Sequence, residues 1–122
     1  MRFCLLVGVI LLAAGCSDQG VASQDPNAPV KILMTQMYVT VRNESGLPLN
    51  DVSVAIIPIG RSTTFTKFLG RLENATERNL MLGDFVGRDG TPFSLRVVKP
   101  RSVALTAKDV KGQPYSAEVA WQ

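Results

Sequence analysis

The sequence predicts an all-β domain of about seven short strands, a β-sandwich or small barrel, behind an N-terminal export segment. From residue 30 onward, apolar and polar residues alternate, as in strands that bury one face. These runs recur about every ten residues and are separated by glycine, proline and asparagine, a pattern typical of sandwiches and barrels. The chain is therefore divided into residues 1–15, 16–29 and 30–122.

The first fifteen residues have the features of a secretory signal peptide. Arg2 supplies a positive charge, residues 3–12 are apolar apart from one glycine, and small residues follow. The apolar run is shorter than the roughly 20 residues that a permanent membrane-spanning helix needs. The sequence therefore predicts export of the chain.

The residues around the cleavage site resemble the lipobox of bacterial lipoproteins. Ala14, Gly15 and Cys16 match it, whereas Ala13 stands where leucine or valine is usual. The resemblance implies cleavage after Gly15 and lipidation of Cys16. Ser17 follows the cysteine in place of aspartate, which implies an outer-membrane destination facing the periplasm. The alternative is an ordinary signal peptide with a cysteine near its cleavage site.

The composition of residues 17–29 predicts a flexible tether. Together with the lipidated Cys16 it makes up the second segment, 16–29. Residues 17–29 are polar or small, include Pro26 and Pro29, and show no hydrophobic period. A flexible coil of about 13 residues spans roughly 20 Å. Such a tether would hold a domain just clear of a membrane surface.

The first alternating run, within residues 30–42, predicts one strand. Its buried face is formed by alternate apolar residues, namely Leu33, Met37, Val39 and Val41. The turn-forming residues 43–46 end it. The second strand follows over residues 52–58, where Pro58 closes the run.

The middle of the chain, residues 61–72, allows more than one interpretation. Four apolar residues follow the helical spacing i, i+3, i+4, i+7, namely Phe65, Phe68, Leu69 and Leu72. The interior Gly70 and a length of barely two turns oppose a helix. We therefore predict a strand or an irregular crossing segment, followed by a short strand at Leu80 and Leu82.

The last third of the chain predicts three further strands. Residues 85–92 form a loop with a turn at Asp89-Gly90. Alternation then marks strands at 93–98, 103–108 and 115–121, with a turn at Lys111-Gly112 before the last. By their phase, Tyr115 and Trp121 face the core, whereas Tyr38 of the first run lies on the polar face.

The stretch VTVRNESGLPLNDVSVAI, followed later by ERNLML, is similar to immunoglobulin-like modules of bacterial envelope proteins, such as the CARDB and FxLYD types. The resemblance covers residues 37–85 and implies an immunoglobulin-like β-sandwich. An inter-sheet cysteine pair and a central tryptophan are absent from the chain. Such modules serve in adhesion, carbohydrate binding, assembly and as accessory parts of enzymes.

The composition excludes several kinds of chemistry. The chain has no histidine, and its two cysteines, Cys4 and Cys16, both precede the predicted domain. A disulfide framework, a thiolate metal site and histidine-assisted nucleophilic catalysis are therefore excluded. The net charge of +3 is spread over interleaved arginines and acidic residues, which argues against nucleic-acid binding. We expect no cofactor and no metal.

Asp84 and Asp89 flank the 85–92 loop as a conceivable carboxylate pair. A catalytic acid requires burial or a like-charged neighbour, whereas Arg88 beside them indicates solvent and charge neutralisation. A calcium loop requires more oxygen ligands at regular spacing. We therefore predict a turn here and not an enzyme site. The glycosylation-like sequences at Asn43 and Asn74 are likewise interpreted as turns.

Taken together, the sequence predicts a lipid-anchored module of the bacterial cell envelope that binds or assembles a protein or polysaccharide partner. The loops 43–50 and 84–92 are the expected contact surfaces, together with the sheet edges. Tyr38, Arg88 and Asp89 are the candidate contact residues. The alternative is an inhibitor or accessory subunit of an envelope enzyme, with Arg88 inserted into a cleft.

Overall fold

The computed structural model describes residues 27–60 and 63–122. Seven strands are described, and their bounds are β1 (Val30–Met34), β2 (Tyr38–Asn43), β3 (Leu49–Pro58), β4 (Phe65–Leu72), β5 (Glu77–Met81), β6 (Pro100–Lys108) and β7 (Pro114–Ala120). One sheet has the order β1-β2-β5 and the other has the order β4-β3-β6-β7, and both are antiparallel. The chain changes sheet after β2, β4 and β5, which gives the connectivity of an immunoglobulin-like sandwich.

The core lies between the two sheets and is built mainly from β-branched residues. Alternate positions of the central strands β2, β3 and β6 are inaccessible to solvent, as one buried face requires. These residues are Val39, Val41, Val52, Val54, Ile56, Val103 and Leu105. Phe85, which follows β5, is also completely buried between the sheets' ends. The strands that alternation predicts at 52–58 and 103–108 are thereby confirmed, each with one buried face.

The prediction of a single strand over the first run is wrong, because the run is a hairpin of β1 and β2. The Thr35 hydroxyl accepts hydrogen bonds from the backbone N–H groups of Met37 and Tyr38, each at 3.0 Å. This turn changes the phase of burial. Val30 and Ile32 face the core in β1, and Leu33 is 60% exposed.

The strand predicted at 93–98 is also wrong, because these residues form a helical turn. The N–H groups of Val97 and Val98 both donate to the carbonyl oxygen of Ser94, at 3.1 and 2.9 Å. Only Phe93 and Val98 are buried, and Val97 is 72% exposed. The alternation of apolar residues therefore does not reflect a strand at this position.

The ambiguous segment 61–72 contains a strand, β4, with an irregularity near Gly70. Val52 of β3 lies opposite Gly70 while Ser53 lies opposite Phe68, so one extra residue, Leu69, is inserted. Gly70 has φ +81°, a left-handed value that favours glycine. The insertion shifts the phase, so Phe65, Leu69 and Leu72 contact the core while Phe68 is exposed. A bulged strand thus produces an apparent helical spacing.

The remaining strands and turns lie where the sequence predicts them, with small changes of boundary. The Leu80–Leu82 strand is β5, and Leu82 begins a turn of 3-10 helix, Leu82–Asp84. Tyr115 and Trp121 pack against the core as predicted. The Lys111-Gly112 turn joins β6 to β7, and Asp109 Oδ1 accepts hydrogen bonds from the N–H groups of Lys111 and Gln113.

The sandwich has two ends that differ in composition. At the near end lie the start of β1 and the connections 43–49, 72–77 and 108–114. The Glu44 N–H donates to the Pro29 carbonyl at 2.7 Å, so the chain enters the domain at the near end. The far end holds the β1–β2 turn, residues 59–60 and 63–64 next to β3 and β4, and residues 82–99. The ten residues of β3 separate the two ends by about 33 Å.

Candidate functional site

Arg88 and Asp89 lie at the tip of a small hairpin at the far end of the sandwich. Val86 and Pro92 pair at its base, and the Gly87 N–H donates to the Thr91 carbonyl at 2.8 Å. The loop thus contains three residues, of which Gly90 has φ +86°. A left-handed third residue is typical of three-residue hairpins, and the Asp89-Gly90 turn is confirmed.

Asp89 has a structural partner within its own hairpin. Its Oδ1 accepts a hydrogen bond from the Thr91 N–H at 3.0 Å. This bond, with a contribution from the Thr91 hydroxyl, lowers the pKa of the Asp89 carboxyl below its ordinary value. The carboxylate therefore stabilises the turn in its charged form. A general acid would need the opposite direction of shift.

The hairpin is fastened to the core by backbone bonds and aromatic packing. Val86 and Thr66 exchange two hydrogen bonds of 2.9 and 3.1 Å between their backbones. Phe93 packs edge-on against Phe65 with ring centroids 5.3 Å apart, and its N–H donates to the Phe85 carbonyl at 2.8 Å. These contacts fix the base of the hairpin, so Arg88 projects from a well-supported position.

An open groove of about 500 Å³ lies beside Arg88. Its walls are mainly threonine and backbone, from the residues Thr63, Thr64, Thr66, Val86, Gly87 and Arg88. The hydroxyl groups and the guanidinium in this lining can hydrogen-bond an extended polar group of a partner. The groove is thus suited to contact at the surface rather than to enclosure of a small molecule.

A second feature of the far end is a patch of exposed aliphatic and cationic side chains, here called the far-end surface. It consists of Ile59, Leu95, Arg96, Val97, Lys99 and Arg101, all of them exposed. The Ile59 N–H donates to the Lys99 carbonyl at 2.9 Å, which places the β3 end beside the 94–101 segment. Periodicity does not reveal this surface, because the alternation at Leu95 and Val97 predicts a strand.

Charged residues are arranged differently at the near end. Arg42 contacts Glu44 at 3.1 Å and Glu77 at 3.8 Å, and Arg71 contacts Glu73 at 2.5 Å. These pairs are exposed and contribute little to stability. They do, however, neutralise the charges of Arg42 and Arg71 locally.

Asn43 organises the near end. It is completely buried, and its Nδ2 donates to the carbonyl oxygens of Leu47 and Leu72 at 2.8 and 3.0 Å. Its Oδ1 accepts from the N–H and hydroxyl of Ser45. Asn74, in turn, accepts a hydrogen bond from the Gly46 N–H at 3.0 Å. Both asparagines therefore take part in turns, as predicted.

Tyr38 lies at the start of β2, half-buried on the outer face of its sheet, opposite Met81 of β5. It shares the far end with Arg88, although the two lie on different elements. The loops 43–50 and 84–92, both expected as contact surfaces, are at opposite ends and cannot form one surface. Gly15 and Cys16, the predicted cleavage and lipidation residues, lie outside the described residues.

Tyr115 connects the two sheets near the point of chain entrance. Burial raises the pKa of its hydroxyl above the ordinary value, while a hydrogen bond with the Val30 backbone acts in the opposite direction. The side chain also lines a cavity of about 290 Å³ at the near end, with Leu47 and Leu49 on its walls. Tyr115 thus packs β7 against β1.

Comparison of the chain with protein-family models, with curated proteins and with solved structures gave no match. In the parts of the chain that the structure describes, no helix is long and apolar enough to cross a membrane. Across residues 27–60 and 63–122, no three acidic, histidine or cysteine side chains are placed to hold a metal ion.

Proposed function

We propose that this chain is a lipid-anchored binding or assembly module of the bacterial cell envelope. The observation that carries the proposal is that the chain enters the sandwich at one end and the candidate contact features lie at the other. The chain enters at the near end, beside Pro29, whereas the Arg88 hairpin and the far-end surface lie at the other end. Attachment through Cys16 would therefore direct these features away from the membrane, towards a protein or polysaccharide partner.

The dimensions are consistent with this role. A tether of about 13 residues spans roughly 20 Å, and the length of β3 adds about 33 Å. The far end would thus be held within about 50 Å of the membrane surface. Ser17 after the lipidated cysteine supports an outer-membrane location, with the domain in the periplasm.

The proposed role is non-catalytic binding. The chain lacks histidine, and no cysteine lies beyond Cys16, so the usual nucleophile and base pairs are absent. The lowered pKa of Asp89 gives that carboxyl the role of a turn acceptor. In its exposed loop, the hydrogen bonds from Thr91 outweigh the desolvation that would raise the pKa of a catalytic carboxyl.

The second candidate, an inhibitor or accessory subunit of an envelope enzyme, is favoured by one observation. The Arg88 side chain projects from a hairpin whose base is fixed by two backbone bonds and by Phe93. A rigid projecting loop loses little conformational freedom on insertion into a cleft. In this case Arg88→Ala would abolish partner binding, whereas an unchanged affinity would eliminate the insertion mechanism.

Lipid attachment is tested by Cys16→Ala in the full chain, with Cys4→Ala as the matched control. We expect the Cys16 variant to lose labelling by radioactive palmitate and to leave the membrane fraction or remain unprocessed. The Cys4 variant should be labelled normally, because residue 4 lies in the removed signal. Persistent labelling of the Cys16 variant would refute the lipid anchor.

A further inference from the structure

The cations of the far-end surface have no acidic partner among the described residues. Arg96, Lys99 and Arg101 are exposed and take part in no ion pair with another described residue, in contrast to Arg42 and Arg71 of the near end. The segment 94–101 contains no acidic residue. The two ends are about 33 Å apart, several Debye lengths at physiological salt, so they present independent electrostatic surfaces.

Aliphatic side chains alternate with these cations. Val97 is 72% exposed, Ile59 58% and Leu95 37%. Exposed aliphatic residues beside arginines are typical of protein interfaces, in which an apolar centre is surrounded by charged groups. The phenylalanines of this end, Phe65, Phe85 and Phe93, are buried, and none of the six residues that define the far-end surface is aromatic.

The backbone beneath the surface is held in place before any partner binds. Val97 and Val98 donate to the Ser94 carbonyl, and Ile59 donates to the Lys99 carbonyl. The Trp121 N–H donates to the Arg101 carbonyl at 2.9 Å, which ties the chain beyond β7 to the start of β6. A fixed backbone reduces the entropy lost when an interface forms.

We propose that the far-end surface binds an acidic protein surface that also presents apolar side chains. The partner's carboxylates face Arg96, Lys99 and Arg101, and its apolar residues cover Ile59, Leu95 and Val97. The inference rests on the proposed binding function and names the chemistry of the partner. An acidic polysaccharide would satisfy the cations and leave the three aliphatic side chains uncovered, so a protein fits the surface better.

The test uses the full chain, purified in detergent from whole-cell lysate, and a fluorescent peptide in which glutamate alternates with leucine and phenylalanine. Binding is measured by anisotropy. We expect saturable binding that weakens as salt is added. The double variant Lys99→Ala/Arg101→Ala should bind about tenfold more weakly, and Val97→Ser several-fold more weakly. A peptide with lysine in place of glutamate should not bind.

The matched control removes two exposed lysines from the near end, in Lys108→Ala/Lys111→Ala. It changes the net charge equally and should leave the affinity unchanged. All variants are first compared by thermal unfolding, so that a folding defect is recognised. An equal loss of affinity in this control would overturn the assignment to the far end.

Polygalacturonate, an acidic polysaccharide, serves as competitor and should displace the peptide poorly. Efficient displacement, no effect of Val97→Ser, or no peptide binding would each overturn the inference. Failure of the proposed function is separately visible, because lipid attachment is measured by palmitate labelling of Cys16. The peptide assay does not depend on the lipid.

Discussion

We expect Asn43→Asp to lower the stability of the domain strongly and in a pH-dependent way. The substitution conserves the size of the side chain and keeps an acceptor for the two Ser45 donors. It replaces Nδ2, which donates to Leu47 and Leu72 at 2.8 and 3.0 Å, by an oxygen. Two carbonyl oxygens then face a carboxylate in a completely buried position.

The magnitude follows from the two bonds that are lost. The buried Leu72 carbonyl loses its amide donor, which costs about 1–3 kcal/mol. The Leu47 carbonyl keeps a hydrogen bond from the Ser45 hydroxyl at 2.8 Å, so the loss there is that of one ordinary bond, about 0.5–1.5 kcal/mol. Together they cost about 1.5–4.5 kcal/mol at neutral pH. A domain of about 90 residues has a total stability of only about 5–14 kcal/mol. At about 4–8 °C per kcal/mol, the melting temperature should fall by about 6–36 °C.

The effect should also depend on pH. Repulsion by the two carbonyls raises the pKa of the introduced carboxyl in the folded state above its unfolded value of about 3.9. A group with a raised folded pKa contributes stability below the unfolded pKa, and this contribution is lost as the pH rises through the folded pKa. The deficit relative to the native chain should therefore be smaller at pH 4 than at pH 7.

The assay is urea unfolding of both proteins at the two pH values, followed by circular dichroism. Asn74→Asp is the matched control, because the exposed Asn74 only accepts a hydrogen bond, from Gly46, and aspartate accepts equally well. Its stability should change by less than about 0.5 kcal/mol. Similar losses in both variants, or a deficit at Asn43 that does not grow with pH, would refute the reasoning.

Two further predictions concern the bulge and the hairpin. Gly70→Ala should destabilise the domain by about 1–2 kcal/mol, because alanine is strained at φ +81°. The control is Gly83→Ala, which lies in open space at an ordinary φ and should be nearly neutral. Both changes are measured by calorimetry. The Asp89 carboxyl should titrate below 3.8 by NMR, so its contribution to stability is present above the unfolded pKa and is lost as the pH falls through the lower folded value. Thr91→Val should raise this midpoint, and an unshifted midpoint in the native chain would contradict the turn geometry.

The strands that the sequence predicted correctly are those in which one periodicity runs without interruption. Val103, Leu105 and Ala107 of β6 face the core at every second position, so alternation is a direct consequence of the pleat. The β2–β3 and β6–β7 connections were recognisable from asparagine and glycine. These residues are the ones that turns require.

Two errors arose where a turn contains no such residues. Between β1 and β2 the chain turns at Thr35, whose hydroxyl accepts hydrogen bonds from two backbone N–H groups. Neither glycine nor proline marks this position. At 94–98 the turn is closed by the Ser94 carbonyl, while Leu95 and Val97 continue an apparent alternation. Local hydrogen bonds determined the structure there, and periodicity could not reveal them.

The candidate site was predicted in part for the same reason. The Asp89-Gly90 turn indicated a hairpin, and the structure places Arg88 at its tip. The far-end surface, by contrast, brings Ile59 together with the 94–101 segment through a bond between Ile59 and Lys99. Such a surface depends on the tertiary pairing of β3 with β6, which a single sequence does not specify.

The proposal that the anchored domain meets its partner at the far end is tested by photocrosslinking in cells. A photoreactive residue is placed at Val97 or, as the matched near-end control, at Val110, which is also an exposed valine in a turn. We expect a discrete protein adduct from Val97 that disappears in Cys16→Ala, and none from Val110. The same adduct from Val110, or no protein adduct from Val97, would contradict it.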